Sequence, residues 1–263
     1  NSNYDNVESY IEELTQSNIK TNTLRRKIAC IKVFYNYLKY QHIIEENPFN
    51  QLRFQFRTEK ILPKTIPYDI LKNIFSYLEQ RVVISKTDYQ KQKAERNLLI
   101  ISLLLSTGIR ISELCHIHLK DINLSNKTLH IIGKGKKERI LFLGDQTTFN
   151  LLETYINKNG KESNDFLFPG KHSPKPLSEQ SVRLILKRIV EQNSLSKTIT
   201  PHMFRHSFAT MLLDNDVDIR YIQQILGHRS ISITQIYTHV SHSKQKEILS
   251  SFNPMSVIHS EIE

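Results

Sequence analysis

Six side chains, in chain order Arg110, Lys134, His202, Arg205, His228 and Tyr237, supply the groups that phosphodiester chemistry needs. As a phosphodiester approaches its pentavalent transition state, charge builds on the non-bridging oxygens, and guanidinium forks are permanent bidentate donors for that charge. Arg110 and Arg205 can take that part, while His202 and His228 can hydrogen-bond the same oxygens and manage the proton of a nucleophile. Tyr237 is the nucleophile on offer: a phenol with a pKa of about 10 in water is weak until a cationic pocket favours its phenolate. The local frames are Ser106-Thr107-Gly108-Ile109-Arg110-Ile111-Ser112-Glu113-Leu114, Gly133-Lys134-Gly135-Lys136-Lys137-Glu138-Arg139, His202-Met203-Phe204-Arg205-His206, Leu226-Gly227-His228 and Ile236-Tyr237-Thr238-His239. A lone His-x-x-Arg or Gly-x-Gly says little; ordered blocks ending in a tyrosine are specific.

The spacing around these residues predicts the elements that must hold them. Apolar helical patterns run over residues 68–78 and 92–106, the first with Pro67 at its first helical position and the second ending at Gly108. Arg110 then opens a helix with Ile111, Leu114 and Cys115 inward; an arginine there needs an anion, and Glu113, three residues on, offers a local ion pair as the ordinary alternative to a ligand. Residues 127–143 change to strand character, with Leu129, Ile131 and Ile132 on one arm, Ile140, Leu141 and Phe142 on the other, and 133–138 as a hairpin loop. That lysine-bearing loop is not a nucleotide-binding P-loop, because Gly-x-x-x-x-Gly-Lys-Ser/Thr is absent and no helix follows directly.

Thr200-Pro201 reads as a cap and first helical residue, placing His202 and Arg205 one turn apart on one face. His202 and His206 have the spacing of two metal ligands, but the glutamate of a zinc hydrolase is missing and no third ligand is suggested. No metal is therefore expected, and His206 should pack or hydrogen-bond internally. Asp218 should cap a helix carrying Ile219, Ile222, Ile225 and Leu226, with Gly227 ending it and His228 following at the turn. Residues 230–236 are long enough to fold back and bring His228 and Tyr237 to one anion.

Residues 1–50 predict a separate all-helical domain. Leu24, Ile28, Ile31, Tyr35 and Leu38 alternate by four and three on one stripe of a helix starting at Thr21 or Thr23. No acid occurs between Leu14 and Ile44, and Lys20, Arg25, Arg26, Lys27, Lys32 and Lys39 form either a face for DNA or a solvated surface. Tyr37 and Tyr40 can stack on sugar or base, or serve helix packing. Residues 51–66, with Arg53, Arg57, Lys60 and Lys64 and no clear period, read as a basic linker to a catalytic domain over 67–252. A helix over 244–252 is broken by Asn253-Pro254, leaving 253–263 as an apolar tail with Met255, Val257 and Ile258.

Composition agrees. A chain of 263 residues with 39% hydrophobic content can build two cores, and a net charge of +10 without a long apolar span favours nucleic acid over a membrane. Cys30 and Cys115 fall in apolar helical patterns and read as core thiols of a reducing compartment, hence a cytoplasmic location. No signal-peptide pattern opens the chain, and a start at Asn1 without methionine suggests an amino-terminal domain that is trimmed.

The ordered blocks resemble those of the tyrosine recombinase (phage integrase) family, closely its bacterial Xer-like branch, over residues 6–249. The resemblance implies a mainly α catalytic domain with a small β-sheet (α+β) and a separate all-α core-binding domain, together a C-shaped clamp on duplex DNA. It implies a site-specific recombinase in which Tyr237 forms a 3′-phosphotyrosyl ester and strands exchange through a Holliday junction without ATP, metal or other cofactor. It assigns Arg110 to the phosphate with Glu113 in support, and makes Lys134 the hairpin lysine that enters the minor groove and protonates the departing 5′ oxygen. Arg25, Arg26, Lys32, Arg53, Arg57, Lys136, Lys137 and Arg139 are the expected further DNA contacts. The implied partners are double-stranded DNA at a specific site and a homotetramer on paired sites, coupled by a carboxyl-terminal segment docking on the neighbouring protomer. The outcome would be integration or excision of a mobile element, or resolution of circular multimers. A type IB topoisomerase and a non-catalytic DNA-binding protein of the same fold are the alternatives; none of the six positions is lost, as the latter would require.

Overall fold

The computed structural model describes residues 4–17, 19–50, 52, 64–133, 138–159, 165–171, 174–195, 198–227 and 248–259. The chain divides into two units, Asn1–Leu62 and Pro63–Glu263. In the first, α1 (Tyr4–Gln16) and α2 (Thr21–Tyr40) bury Val7, Ile11, Leu14, Leu24 and Ile28 with Phe49, and the predicted stripe continues through half-buried Ile31 and Tyr35. Cys30 departs from the expectation of a core thiol: two residues past Ile28, it falls on the opposite side of α2 and is exposed. Arg25, Arg26, Lys32, Tyr37 and Tyr40 are exposed on the same helix.

The second unit is built around α4 (Asp88–Thr107), in which every residue from Leu98 to Thr107 is buried. A helix segment apolar on all sides must be surrounded. It packs against α3 (Tyr68–Val83), α6 (Gln146–Asn159), α8 (Pro201–Asp214) and α10 (Pro254–His259). The Thr87 hydroxyl accepts from the Gln90 N–H at its start, and Gly108, at φ +60°, ends it. Pro67 stands one position earlier than expected, as the cap of α3 and not its first helical residue.

A three-stranded antiparallel sheet follows, in the order β1 (Ile122–Asn123), β2 (Thr128–Ile132), β3 (Glu138–Phe142). The β2–β3 hairpin has the predicted extent, with Ile132 opposite Glu138. Strict alternation turns Leu129, Ile131 and Leu141 inward but leaves Ile132 and Ile140 exposed, so the apolar runs overstate the buried face. The remaining helices are α5 (Ile111–Cys115), α7 (Glu179–Gln192), capped by Ser178, and α9 (Ile219–Leu226), where the Asp218 carboxylate accepts from the Arg220 N–H. Cys115 is buried, and burial raises its thiol pKa to about 11, which leaves it inert at neutral pH.

The apolar residues after Asn253 do not remain an irregular tail. Asn253 Oδ1 accepts from the Met255 N–H at 3.0 Å while its Nδ2 donates to the Ser106 carbonyl at 3.0 Å. So capped, α10 buries Met255 and Ile258 within its own unit. Of the expected helix over 244–252, residues 248–252 are described, and 248–251 are helical. No helix among the described residues is long and apolar enough to cross a membrane.

Candidate active site

Three helix ends meet at the start of α5. Gly108 closes α4, Arg110 occupies the cap position of α5, and Gly227, at φ +66°, closes α9. Both closures use the left-handed backbone that glycine favours, and a Cβ on Gly108 would stand 2.6 Å from Phe208 Cδ1 and 2.7 Å from Leu226 Cδ2.

Arg110 and Glu113 form the local pair that the sequence offered. The Arg110 N–H donates to Glu113 Oε2 at 3.0 Å and Nη1 donates to Oε1 at 2.9 Å. The pair does not consume the arginine, since its side chain remains 35% exposed while that of Glu113 is 4% exposed. Arg110 Nη2 also donates to the Gly227 carbonyl at 3.3 Å.

Arg205 reaches the same place from α8. Only 6% exposed, it donates from Nη1 to the Gly108 carbonyl at 2.7 Å and from Nη2 to the Leu226 carbonyl at 2.6 Å. Both acceptors lie at helix carboxyl ends, whose partial negative charge suits a buried cation. Burial, followed by repulsion from Arg110 and Arg139, lowers its pKa to about 10, still well above neutrality. Two guanidiniums distant in sequence therefore converge on adjacent carbonyls, Leu226 and Gly227.

Arg139 corrects an expectation. It is not an exposed phosphate contact: its side chain is 13% exposed and forks onto Glu113, Nη1 to Oε1 at 3.0 Å and Nη2 to Oε2 at 2.7 Å. Its Nε donates to the Ile225 carbonyl at 3.1 Å. The physical reason is Glu113, a buried carboxylate that must be paired. Burial pushes the Glu113 carboxyl up, but Arg139 and then Arg110 more than reverse this and hold it at about 2. One sequence signal could have found the contact: Arg139 stands directly opposite buried Ile131, on the inward face of the hairpin.

Thr200 occupies the cap position of α8 with Pro201 next, but makes no side-chain cap hydrogen bond. His202 is exposed in the first turn of that helix, and Arg205, one turn on, is buried. His206 is exposed and so differs from the expected internal residue; what burial its ring has, then the charges of His202 and Arg205, lowers its pKa. No group of three or more potential metal ligands occurs among the described residues. Lys134, Lys136, Lys137, His228, Tyr237, Arg53 and Arg57 lie outside the described residues. The described part of the site is thus a cationic cluster in which Arg110 and Arg139 share the Glu113 carboxylate and Arg205 is held on the Gly108 and Leu226 carbonyls, with the edge of Arg110 open to an anion.

Comparison with known proteins places this geometry in context. The model of the phage integrase family matches residues 75–244. A tyrosine recombinase of Agathobacter rectalis is 50% identical over 257 residues, covering 96% of this chain and 83% of that protein. Tyrosine recombinase XerC of Bacillus subtilis is 33% identical over 258 residues, covering 95% of this chain and 81% of that protein. Among solved structures, the XerH site-specific recombinase bound to its difH substrate in a pre-cleavage complex shares the fold with a TM-score of 0.68 at 24% identity, covering 95% of this chain and 70% of that one. The crystal structure of XerA recombinase has a TM-score of 0.54 at 26% identity, covering 93% of this chain and 81% of that one.

Proposed function

This chain belongs to the phage integrase family of tyrosine recombinases, and from that premise we propose that it is a site-specific DNA recombinase with Tyr237 as its nucleophile. The observation that carries this reading is the convergence of Arg110 and Arg205 on the carbonyls of Gly227 and Leu226, at the chain position from which residues 228–237 depart. A phosphodiester held by these guanidiniums meets two fixed donor sets whose charge matches that building on its non-bridging oxygens. His202 and His228 complete the donor set. The Tyr237 oxygen, its proton passed to a histidine of the pocket, forms a bond to phosphorus as the bond to the 5′ oxygen breaks, and Lys134 gives its proton to that leaving oxygen. The 3′-phosphotyrosyl ester keeps the energy of the broken bond. A 5′ hydroxyl from the partner strand can therefore displace the tyrosine, and strands are exchanged instead of hydrolysed.

In this reading both the unit Asn1–Leu62 and the unit Pro63–Glu263 contact the duplex. Arg25, Arg26 and Lys32 from α2, with Arg53 and Arg57 from the basic segment 51–66 and Lys136 and Lys137 from the hairpin loop, neutralise backbone phosphates. A homotetramer pairs two sites for integration and excision or for resolution of circular multimers. The test uses a nicked suicide duplex carrying the site that the wild-type protein protects in footprinting. Tyr237→Phe should bind this DNA normally and leave no covalent adduct on a denaturing gel. Adducts that persist in the variant would move the nucleophile to another residue.

A further inference from the structure

Three consecutive carbonyls end α9, and each is held by a different arginine: Ile225 by Arg139 at 3.1 Å, Leu226 by Arg205 at 2.6 Å and Gly227 by Arg110 at 3.3 Å. Two of these arginines are candidates to touch DNA. Arg139 is turned away from solvent and has no such duty. We infer that Arg139 is a positioning residue for strand cleavage, tying Glu113 to the end of α9 so that Arg110 stays fixed in place and cationic toward the scissile phosphate.

The charge balance comes first. If Glu113 had Arg110 as its sole partner, the two would cancel and the guanidinium would present little field to an incoming anion. The Arg139 fork occupies both carboxylate oxygens, so the trio retains one positive charge, and the exposed part of it is Arg110. The geometry adds a second effect. Oε1 of Glu113 accepts from Nη1 of both arginines, at 2.9 Å from Arg110 and 3.0 Å from Arg139, so a shift of one guanidinium moves the carboxylate that orients the other. A third link runs to α9: a Cβ at Gly227 would stand 3.3 Å from Arg139 Cδ and 3.4 Å from its Nη1, so the backbone that leads to His228 lies directly on this side chain. Arg139 itself is anchored in β3, paired with Ile131 of β2, in the hairpin whose loop carries Lys134. One side chain thus ties the hairpin, the Arg110 cap and the end of α9 into a single frame. Methionine or lysine at 139 cannot replace it, because neither carries a planar fork.

This inference rests on the reading that Arg110 holds the scissile phosphate, and the experiment separates the two. Full-length Arg139→Met, Arg139→Lys and Arg110→Ala are compared with wild type on the suicide duplex and on the same duplex with a neutral methylphosphonate at the scissile position. Adduct formation at saturating DNA should fall on the order of 100-fold for Arg139→Met on the ordinary phosphate, as for a misplaced catalytic group, with the half-saturating DNA concentration unchanged. On the methylphosphonate, which asks less charge of Arg110, the deficit should shrink to about tenfold or less. Arg139→Lys, which keeps the charge but not the fork, should show a smaller loss that also shrinks on the methylphosphonate, and it carries the test if Arg139→Met melts before assay temperature. Equal loss on both substrates, with Arg110→Ala rescued by the methylphosphonate, would reduce Arg139 to a structural residue and overturn the inference alone. Failure of the methylphosphonate to rescue Arg110→Ala would remove the phosphate role of Arg110, and the inference with it.

Discussion

Glu113→Gln should abolish one specific component of the acid sensitivity of the catalytic unit. The Glu113 carboxyl has a folded pKa of about 2 against an unfolded value of 4.5. A depressed carboxylate contributes its full stability above the unfolded value and loses it as pH falls toward the folded one. The side chain is 4% exposed, so solvent screening takes little from the effect. By linkage this depression is worth about 3 kcal/mol at neutral pH, of which about 1 kcal/mol is gone by pH 3.5. Glutamine keeps the shape and cannot titrate, while every other carboxylate titrates alike in both proteins. The stability gap between wild type and Glu113→Gln should therefore narrow by about 1 kcal/mol between pH 7 and pH 3.5, or roughly 2–4 °C in Tm for a unit of this size. Urea titrations of both proteins at the two pH values measure it directly. A gap that stays constant would show that Glu113 is not held ionised by Arg139 and Arg110, and the charge argument for the cluster would fail with it.

Gly108→Ala should cost more than about 2 kcal/mol, because φ +60° strains any L residue and the new Cβ meets Phe208 and Leu226; since the Gly108 carbonyl holds Arg205, adduct formation should fall in parallel, and unchanged urea stability would refute both. Gly144→Ala drives a Cβ into the Leu249 carbonyl, so the segment leading to α10 must shift. Limited proteolysis near Asn253 should become faster, and an unaltered digestion pattern would contradict the packing. Lys134→Ala should slow cleavage of ordinary DNA far more than cleavage of a 5′-bridging phosphorothiolate, whose leaving group needs no proton; equal slowing would strip Lys134 of the proton-donor role.

The sequence made legible what depends on local periodicity. Gly108, Asp218 and Gly227 bounded α4 and α9 correctly because capping and left-handed closures are set by neighbouring residues. The hairpin was readable from alternation, yet Ile132 and Ile140 proved exposed, since apolar identity does not fix which face of a strand a residue occupies. Cys30 shows the same failure on a helix, where two residues of displacement reverse the side. The helices α6 and α7 carry no chemistry-bearing motif, and the signal for α7 is the ordinary cap Ser178. Arg139 was misjudged for a different reason. A basic residue beside a basic loop reads as a surface contact, and the buried carboxylate that claims it lies on another element, 26 positions away in sequence.

The backbone carbonyls are what sequence reasoning has least access to, and here they explain how several guanidiniums share a small volume. Like charges this close should repel, and the lowered pKa of Arg205, set by burial and then by Arg110 and Arg139, registers that cost. Glu113 offsets part of it, and the carboxyl ends of α4 and α9 supply oriented partial negative charge through Gly108, Ile225, Leu226 and Gly227. These acceptors engage part of each guanidinium's donor set, which leaves donors for a phosphate. The arginines are therefore held in place before DNA arrives, by groups that do not need to leave when it does. On the proposed function, a substrate phosphate would complete a charge balance already prepared in the fold, with little reorganisation at the moment of reaction.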